Sequence, residues 1–347
     1  MAIKTKELPI PAHFDRALAD KVWRVPYQER ANDAREWARK HNISHFAKDS
    51  TRICLMPIDV QNTFCLPDFE LFVSGRSGRG AIDDSIRLAE FIYKNLGTIS
   101  EVTPTMDTHT ATQIFHTPFW VDKDGNHPAP ATIITLADVE SGRWMVNPAV
   151  APSIVDGNYM YLKNHGLHYV RKLHETGKYP LMVWPFHAML GGIGHALVST
   201  VEEAIFFHNI ARSSQTGFQI KGGNPLTENY SVLRPEVLDD HLGRAIAQKN
   251  AKFIKKLLTC DVVIITGQAM SHCVAWTIDD LLNEIMAQDP ALVKKVYLIK
   301  DCTSPVVIPG IIDFTDDAEK AFKRFSDAGM HVVNSTDPIS SWPGISL

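Results

Sequence analysis

The sequence predicts an α/β fold in which a central, mostly parallel sheet lies between two layers of helices. Short, nearly all-apolar runs recur along the chain, as is typical of strands that are buried on both faces of a parallel sheet. Segments with apolar residues at helical spacing lie between these runs, and this alternation favours a three-layer αβα arrangement. The strand-like runs are 52–58, 99–106, 180–184, 217–221, 261–266, 296–300 and 331–334. The helix-like segments are 81–96, 194–212, 235–258, 273–287 and about 316–328.

Individual elements carry these patterns. The first strand reads RICLMPI at 52–58, and the strand at 261–266 reads DVVIIT. The helix at 273–287 repeats its apolar residues at helical spacing, at Val274, Ile278, Leu281, Leu282 and Ile285. In folds of this kind ligands bind at the carboxyl ends of the strands. The residues that follow each strand are therefore the candidates for a functional site.

Two segments fall outside the alternation. Residues 1–50 are polar and helix-prone, and they predict an N-terminal helical extension ahead of a main domain at 51–347. Residues 117–179 contain a polar, Pro/Gly-rich sequence (FWVDKDGNHPAPA) and an aromatic-rich sequence (NYMYLKNHGLHYV). The segment is too long for an ordinary loop. We interpret it as an insertion that covers the site or forms the subunit contact of a homo-oligomer. The alternative is a peripheral subdomain packed on its own core.

Composition narrows the class of partner. The 347 residues carry a formal net charge of −4, and no run of lysine or arginine exceeds two residues, so nucleic acid and anionic membranes are poor partners. No segment approaches the roughly 18 apolar residues of a membrane span, and the N-terminus lacks a signal-peptide pattern. Five cysteines without a CxxC pair favour a reducing compartment. We therefore predict a cytoplasmic protein that acts on a small molecule.

Three strand ends carry residues that suit a metal or a base. Asp59 follows the strand at 52–58, where it is either a turn residue, a helix cap or a base. Asp107 and His109 follow the strand at 99–106, and in extended chain their side chains point the same way. His187 follows the strand at 180–184, so that a third ligand reaches the same edge. One aspartate and two imidazoles suit zinc, iron or manganese, whereas Asp-x-His alone could be a structural polar pair.

Two further strand ends carry a lysine and a cysteine. Lys221 is followed by Gly222 and Gly223, which permit close approach of a ligand, although a lysine at a sheet end is usually solvated. Cys273 falls at the start of a helix, where the positive end of the helix dipole lowers the pKa of a thiol. The alternative for Cys273 is a buried structural thiol. The other cysteines fit that alternative better, although Cys65 fits it less clearly than Cys54, Cys260 and Cys302.

The order of these motifs resembles the nicotinamidases and the wider isochorismatase-like cysteine hydrolases, which have a Rossmann-like αβα fold. The motifs are D-V-Q-N-x-F, D-x-H, W-P-x-H with a following G-x-x-G, K-G, and G-x-A-x-x-x-C-V, and they cover about 52–116 and 180–305. The resemblance implies a catalytic triad and a metal site. Its triad is Asp59, Lys221 and Cys273, and its metal ligands are Asp107, His109 and His187, with His116 as a fourth ligand in some members. It also implies substrate contacts from Phe64 and Trp184, and an oxyanion hole made by the backbone N–H groups of Ala269, which follows a cis peptide bond in the family, and Cys273.

The implied activity is release of ammonia from a small amide through a cysteine thioester, with nicotinamide as the favoured substrate and a divalent metal, zinc first, as cofactor. Hydrolysis of another small amide or a carbamoyl compound is the alternative, because the sequence reads WPFHA, GGIGHA and AMSHC where many nicotinamidases read WPxHC, GTxGAE and ATDYC. Vinyl-ether hydrolysis of the isochorismatase type needs no thiol, so Cys273 argues against it. A non-catalytic protein that kept the fold is disfavoured by the complete triad.

Overall fold

The computed structural model describes residues 7–176 and 179–345. Residues 1–6 of the predicted N-terminal extension and residues 177–178 of the predicted insertion lie outside the described residues. The chain folds as two compact units. Among the described residues, the first unit contains 7–106, 196–220 and 251–345, and the second contains 107–176, 179–195 and 221–250.

A five-stranded parallel sheet forms the centre of the first unit, in agreement with the prediction. Its strands are β1 (Ile53–Ile58), β2 (Glu101–Val102), β9 (Val262–Gly267), β10 (Val296–Ile299) and β13 (His331–Val333), in the order β13-β10-β9-β1-β2. Every residue of β1, β9 and β10 is buried, which explains their apolar sequences. β1 pairs with β9 along its whole length, from Ile53 opposite Val262 to Ile58 opposite Gly267.

The longer helices of the first unit form two groups, and in each group two helices pack on a third. In one group α1 (Tyr27–Lys40) and α3 (Gly80–Lys94) both pack on α7 (Ser199–Arg212). In the other, α8 (Ala251–Thr259) and α10 (Thr315–Asp327) both pack on α9 (Ala275–Gln288). The unit also contains the short helix α2 (Asn62–Cys65) and the hairpin of β11 (Val307–Ile308) with β12 (Ile312–Asp313). This is the predicted α/β class, with helices on a parallel sheet.

The N-terminal extension belongs to the first unit. The Arg30 guanidinium on α1 donates from Nε to Oε1 of Glu203 on α7 at 2.7 Å, and both side chains are almost fully buried. The backbone N–H of Trp23 donates to Oγ of Ser199 at 3.1 Å, and that hydroxyl donates back to the Trp23 carbonyl at 2.7 Å. Within residues 7–50, helix α1 and the segment before it are thus hydrogen-bonded to α7.

Short elements and one long helix make up the second unit. Its strands are β4 (Trp120–Val121), β5 (Ile133–Ile134), β6 (Met145–Val146) and β7 (Leu181–Met182), which pair antiparallel as β4 with β6 and β5 with β7. Its helices are α4 (Leu136–Glu140), α5 (Ala151–Val155) and α6 (Tyr159–Thr176). Gly166 on α6 meets Trp120 and Val146 so closely that an added Cβ would lie 2.5 Å from Val146 Cγ2. The predicted insertion thus contains regular elements with a packed core.

Three predicted elements differ from the structure. The run at 180–184 is not a strand of the parallel sheet, because Leu181 and Met182 pair antiparallel with Ile134 and Ile133. The run at 217–221 forms β8 (Gln219–Lys221), which like β3 (Thr105–Asp107) lies outside the five-stranded sheet. The helix predicted at 235–258 is wrong over 235–250, and only α8 is helical. In that stretch the Asp240 carboxylate accepts from the backbone N–H groups of Leu242 and Arg244, both at 2.9 Å, and so competes with a helix.

No helix in the described part of the chain combines the length and the hydropathy that crossing a membrane requires.

Candidate active site

Asp59 follows β1 directly and is completely buried. Its φ of 47° lies in the left-handed region, which is uncommon for a residue other than glycine. Thr105 fixes this conformation with one hydroxyl group, since Oγ1 accepts from the Asp59 backbone N–H at 3.0 Å and donates to the Asp59 carboxylate. The strand end therefore holds a buried carboxylate in one defined orientation.

The turn after β9 leads to Cys273. It begins at Gly267, whose φ is 110° and where an added Cβ would lie 2.1 Å from the Ile58 carbonyl oxygen, so that only glycine fits. The peptide bond between Gln268 and Ala269 is cis, as the family resemblance implied, and the Gln268 N–H donates to the Ile58 carbonyl at 2.7 Å. The chain then forms a π-helical turn, Met270–Val274, that runs into α9 and contains the buried Cys273.

Because β1 and β9 are parallel neighbours in full register, Asp59 and the turn that carries Cys273 both leave the sheet at the same edge. Phe64 lies on α2, directly after the Asp59 turn, and is buried. The first unit therefore provides the candidate base, the candidate nucleophile, the predicted oxyanion-hole residue Ala269 and one predicted aromatic contact.

Asp84 on α3 supports the Cys273 turn, and no local pattern pointed to this role. Its carboxylate accepts from Gln268 Nε2 at 2.9 Å, from Ser304 Oγ at 2.6 Å and from Arg87 at 2.8 Å. The Ser304 carbonyl in turn accepts from the Met270 N–H at 2.8 Å. Burial raises the pKa of Asp84 to about 6, although these donors oppose the shift.

The second unit brings the predicted metal ligands together. Asp107, His109 and His187 are buried, and one ligand atom from each lies within 4.8 Å of the other two. His109 Nε2 is 2.7 Å and His187 Nε2 is 3.4 Å from Asp107 Oδ2. Burial opposes ionisation of Asp107, but the neighbouring His109 and Lys221 outweigh it and hold its pKa well below the usual range.

Backbone carbonyl groups determine which nitrogen of each imidazole faces this cluster. His109 Nδ1 lies 3.2 Å from the Gly222 carbonyl oxygen, and His187 Nδ1 lies 2.8 Å from that of Pro185. A carbonyl oxygen only accepts, so both Nδ1 atoms carry the proton and donate it. Each Nε2 is therefore the ring nitrogen that faces Asp107 Oδ2, and backbone partners orient metal-binding histidines in this way.

His116 lies beside the cluster without joining its three closest atoms. Its ring centroid is 5.7 Å from that of His109 and 6.0 Å from that of His187. Its Nδ1 donates to the Thr110 carbonyl at 3.1 Å, and its buried Nε2 has no hydrogen-bond partner among the described residues. Burial, followed by the two neighbouring imidazoles, lowers the pKa of His116 to about 3, so the ring is neutral.

Lys221 contacts the same carboxylate, that of Asp107, as the two histidines. Its Nζ donates to Asp107 Oδ1 at 2.9 Å and to the Asn229 carbonyl at 2.8 Å, and the side chain is buried rather than solvated. Gly222 follows with a φ of 88°, and an added Cβ there would lie 2.7 Å from His109 Cε1 and 2.8 Å from Asp107 Oδ1. Glycine at position 222 thus permits close approach of the backbone to the side chains of His109 and Asp107.

Several hydrogen bonds between residues near the cluster had no signal in the sequence. Trp184, a predicted substrate contact, is buried and donates from Nε1 to the Tyr230 hydroxyl at 3.1 Å. Thr108 Oγ1 lies 2.8 Å from His195 Nε2. The Gly222 carbonyl accepts a second hydrogen bond, at 2.6 Å, from Gln113 Nε2. These partners are far apart in sequence, so no local pattern connects them.

Comparison with known proteins gave matches among solved structures alone, since no protein-family model and no curated protein matches the sequence. A nicotinamidase/pyrazinamidase from Acinetobacter baumanii is 20% identical, with a TM-score of 0.49 over 84% of this chain and 99% of its own. The yeast nicotinamidase bound to the inhibitor nicotinaldehyde is 18% identical, with a TM-score of 0.49 over 81% and 99%. A pyrazinamidase from Pyrococcus horikoshii in complex with zinc is 16% identical, with a TM-score of 0.43 over 82% and 99%. These structures come from the group of hydrolases that the sequence motifs resemble.

Proposed function

We propose that this protein is a cysteine amidohydrolase that releases ammonia from a small amide, with nicotinamide as the favoured substrate. The observation that carries the proposal is the buried cluster of Asp107, His109 and His187, with Lys221 on the same carboxylate. Within the family that the sequence motifs resemble, hydrolases of other small amides often lack these ligands. The cluster therefore supports nicotinamide over the carbamoyl alternative.

The residues fit a divalent metal, with zinc favoured and iron or manganese as alternatives. Two imidazoles and one carboxylate are a donor set that these metals accept. Asp107 Oδ2, His109 Nε2 and His187 Nε2 would hold the ion, and the buried Nε2 of His116 is the candidate for a fourth ligand. When bound, the metal would supply a Lewis-acid attachment point for a ring nitrogen or a water molecule.

The proposed first half-reaction forms a thioester. Asp59 accepts the proton of the Cys273 thiol, and the thiolate attacks the amide carbonyl carbon. The backbone N–H groups of Ala269 and Cys273 donate to the oxyanion that develops on the carbonyl oxygen. Lys221 is assigned to stabilise the negative charge that arises in this step. When the carbon–nitrogen bond breaks, Asp59 returns the proton to the leaving nitrogen, which departs as ammonia.

The second half-reaction regenerates the thiol. Asp59 accepts a proton from a water molecule, whose oxygen attacks the thioester carbonyl carbon. The carbon–sulfur bond breaks, the carboxylic acid leaves, and the proton returns to sulfur. Phe64 and Trp184 are assigned to the walls that hold the ring of the substrate during both steps.

Ammonia release from a panel of small amides tests this proposal. The panel contains nicotinamide, a carbamoyl compound and a maleamate-like acid, and the protein is assayed after incubation with zinc, iron or manganese. We expect the highest kcat/KM on nicotinamide. A higher kcat/KM on the carbamoyl compound or the acid would show that nicotinamide is not the favoured substrate, while the proposed amide hydrolysis would stand. If no amide releases ammonia with any metal, the amidohydrolase proposal is wrong.

A further inference from the structure

Cys54 and Cys260 form a pair of thiols in the first unit. Cys54 is the second residue of β1, and Cys260 lies between α8 and β9. The backbone N–H groups of Asp261 and Val262 donate to the Arg52 carbonyl at 3.0 Å and 3.1 Å, which fixes the start of β9 against the start of β1. Both side chains line one small cavity, and each thiol perturbs the pKa of the other.

The two thiols differ in exposure and in charge. Cys54 is fully buried, and its contact with Cys260, together with burial, raises its pKa well above the usual range. Cys260 is partly exposed, and the neighbouring Cys54 thiol lowers its pKa against the effect of burial. Lys256 and Lys295 lower the pKa of Cys260 further, and Glu101 opposes them. The surroundings thus favour a thiolate on Cys260 and a thiol on Cys54.

A small cavity leads to this pair. It encloses about 110 Å³ and is lined by both cysteines with Ser100, Glu101 and Lys256 among its other residues. A water molecule in the liquid occupies about 30 Å³, so a hydroperoxide of two oxygen atoms fits in this space. Such a molecule reaches Cys260, since that residue is partly exposed and Cys54 is buried.

We propose that Cys54 and Cys260 are a reversible oxidation site for hydrogen peroxide. The Cys260 thiolate attacks one peroxide oxygen, the oxygen–oxygen bond breaks, and hydroxide leaves, so that Cys260 becomes a sulfenic acid. The Cys54 sulfur then attacks the Cys260 sulfur, a disulfide forms, and the sulfenic oxygen leaves as water with the Cys54 proton. Peroxide is reduced and the two thiols are oxidised, and a dithiol reductant reverses the change.

This site is separate from the candidate active site and does not rest on the proposed function. Cys54 lies near the amino end of β1, whereas Asp59 follows its carboxyl end five residues later, about 16 Å away at the rise of a strand. Two other thiols of the same unit offer an internal reference. Cys65 and Cys302 are buried, and burial raises the pKa of each.

Peptide mapping of the full chain after hydrogen peroxide treatment tests the proposal. Folded wild-type protein is oxidised, its remaining thiols are alkylated, and each cysteine is assigned by mass. We expect a Cys54–Cys260 cross-link that is two hydrogens lighter than the paired thiols and that dithiothreitol reverses, while Cys65 and Cys302 stay reduced. In Cys54→Ser, dimedone should label Cys260, and in Cys260→Ser it should leave Cys54 unlabelled.

The wild-type map decides the matter even if Cys54→Ser does not fold. A Cys260 that remains a free thiol in folded protein, while Cys273 or the buried thiols are oxidised, would overturn the proposal. A Cys54–Cys260 disulfide that forms in urea but not in buffer would also overturn the proposal. It would show that the folded structure does not promote the reaction between the two thiols. Dimedone labelling of Cys54 in Cys260→Ser would reverse the assigned order of attack.

Discussion

Cys273 is the residue on which the proposed chemistry depends most directly. Cys273→Ala should lower kcat for ammonia release by several orders of magnitude, and Asp59→Ala by a similar factor, because residues that act as one catalytic unit show similar losses. Cys302→Ala is the matched control, since it removes a buried thiol from the same unit. Circular dichroism should show that all three variants remain folded. A Cys273→Ala protein that keeps a tenth of wild-type turnover would remove Cys273 from the role of nucleophile.

Asp84 gives the Cys273 turn a pH dependence that can be measured as stability. Its pKa is about 6 in the folded chain, compared with 3.8 for an unperturbed aspartate, so the folded state favours the protonated carboxyl. The stabilisation is complete below about pH 4 and is lost as the pH rises through about 6. Two pH units correspond to about 3 kcal/mol in the free energy of unfolding.

Asp84→Asn removes this titration while keeping the shape of the side chain. Between about pH 4 and pH 7, the free energy of unfolding of wild type should fall relative to that of Asp84→Asn, by an amount on the order of the 3 kcal/mol given above. Urea denaturation of both proteins at several pH values measures the difference. Two curves that run parallel over this range would show that Asp84 does not titrate there.

The residues that the sequence could predict are those that follow strands or begin a helix. Asp59, Asp107 and Cys273 have such positions, and their chemical types already suggest a base, a metal ligand and a nucleophile. Asp84 and Ser304 have no such position, because their contact joins residues 220 apart in sequence. Tyr230 was missed for the same reason, since its hydroxyl meets Trp184 only after the chain has folded.

At the scale of elements, apolar runs predict strands but not their partners. β1 and β9 are buried on both faces, so their sequences are apolar throughout and were recognised. Leu181 and Met182 are also buried, but they pair antiparallel with β5 in the second unit, and nothing local distinguishes that role. The stretch 235–250 contains enough apolar residues to suggest a helix, whereas the Asp240 side chain binds backbone N–H groups and makes a turn.

The segment after β8 provides a matched pair of glycines. Gly222→Ala would place a methyl group 2.7 Å from His109 Cε1 on a backbone with a φ of 88°, so the ring and the neighbouring carboxylate must move. Gly223→Ala meets nothing within 4 Å and serves as the control. Because second-shell changes typically cost 10- to 100-fold in metal affinity, we expect roughly that loss in Gly222→Ala alone. Equal zinc affinities in a competition titration would show that the close approach of Gly222 does not shape the metal site.

At the scale of the whole molecule, the composition of the second unit was the feature that the sequence predicted least well. The aromatic composition of 117–179 indicated a structured insertion, and α6 with its buried contacts to Trp120 and Val146 accounts for that composition. The same unit also includes 107–116, the segment around His187 and residues 221–250, which no local pattern joins to the insertion. The unit is assembled from two stretches of chain, and only long-range packing determines which stretches combine.

This assembly leads to a prediction about metal removal. The ligands come from positions 107, 109 and 187, so the complete set exists only in the folded second unit, and an ion that binds there must stabilise the folded state. At a free metal concentration about 1,000 times its dissociation constant, the gain is about 4 kcal/mol. For a unit of this size, that corresponds to a rise of roughly 15 °C in the unfolding temperature.

Calorimetry of the protein with and without a chelator measures this shift. We expect the chelator to lower the unfolding temperature of wild type by roughly 15 °C, and zinc to restore it. His109→Ala should unfold at one temperature under both conditions, because it lacks a ligand. His174→Ala, which changes an exposed histidine on α6, should respond as wild type does. If His109→Ala and wild type respond equally to the chelator, the stabilising ion binds elsewhere, and the proposed metal site is wrong even where ammonia release is observed.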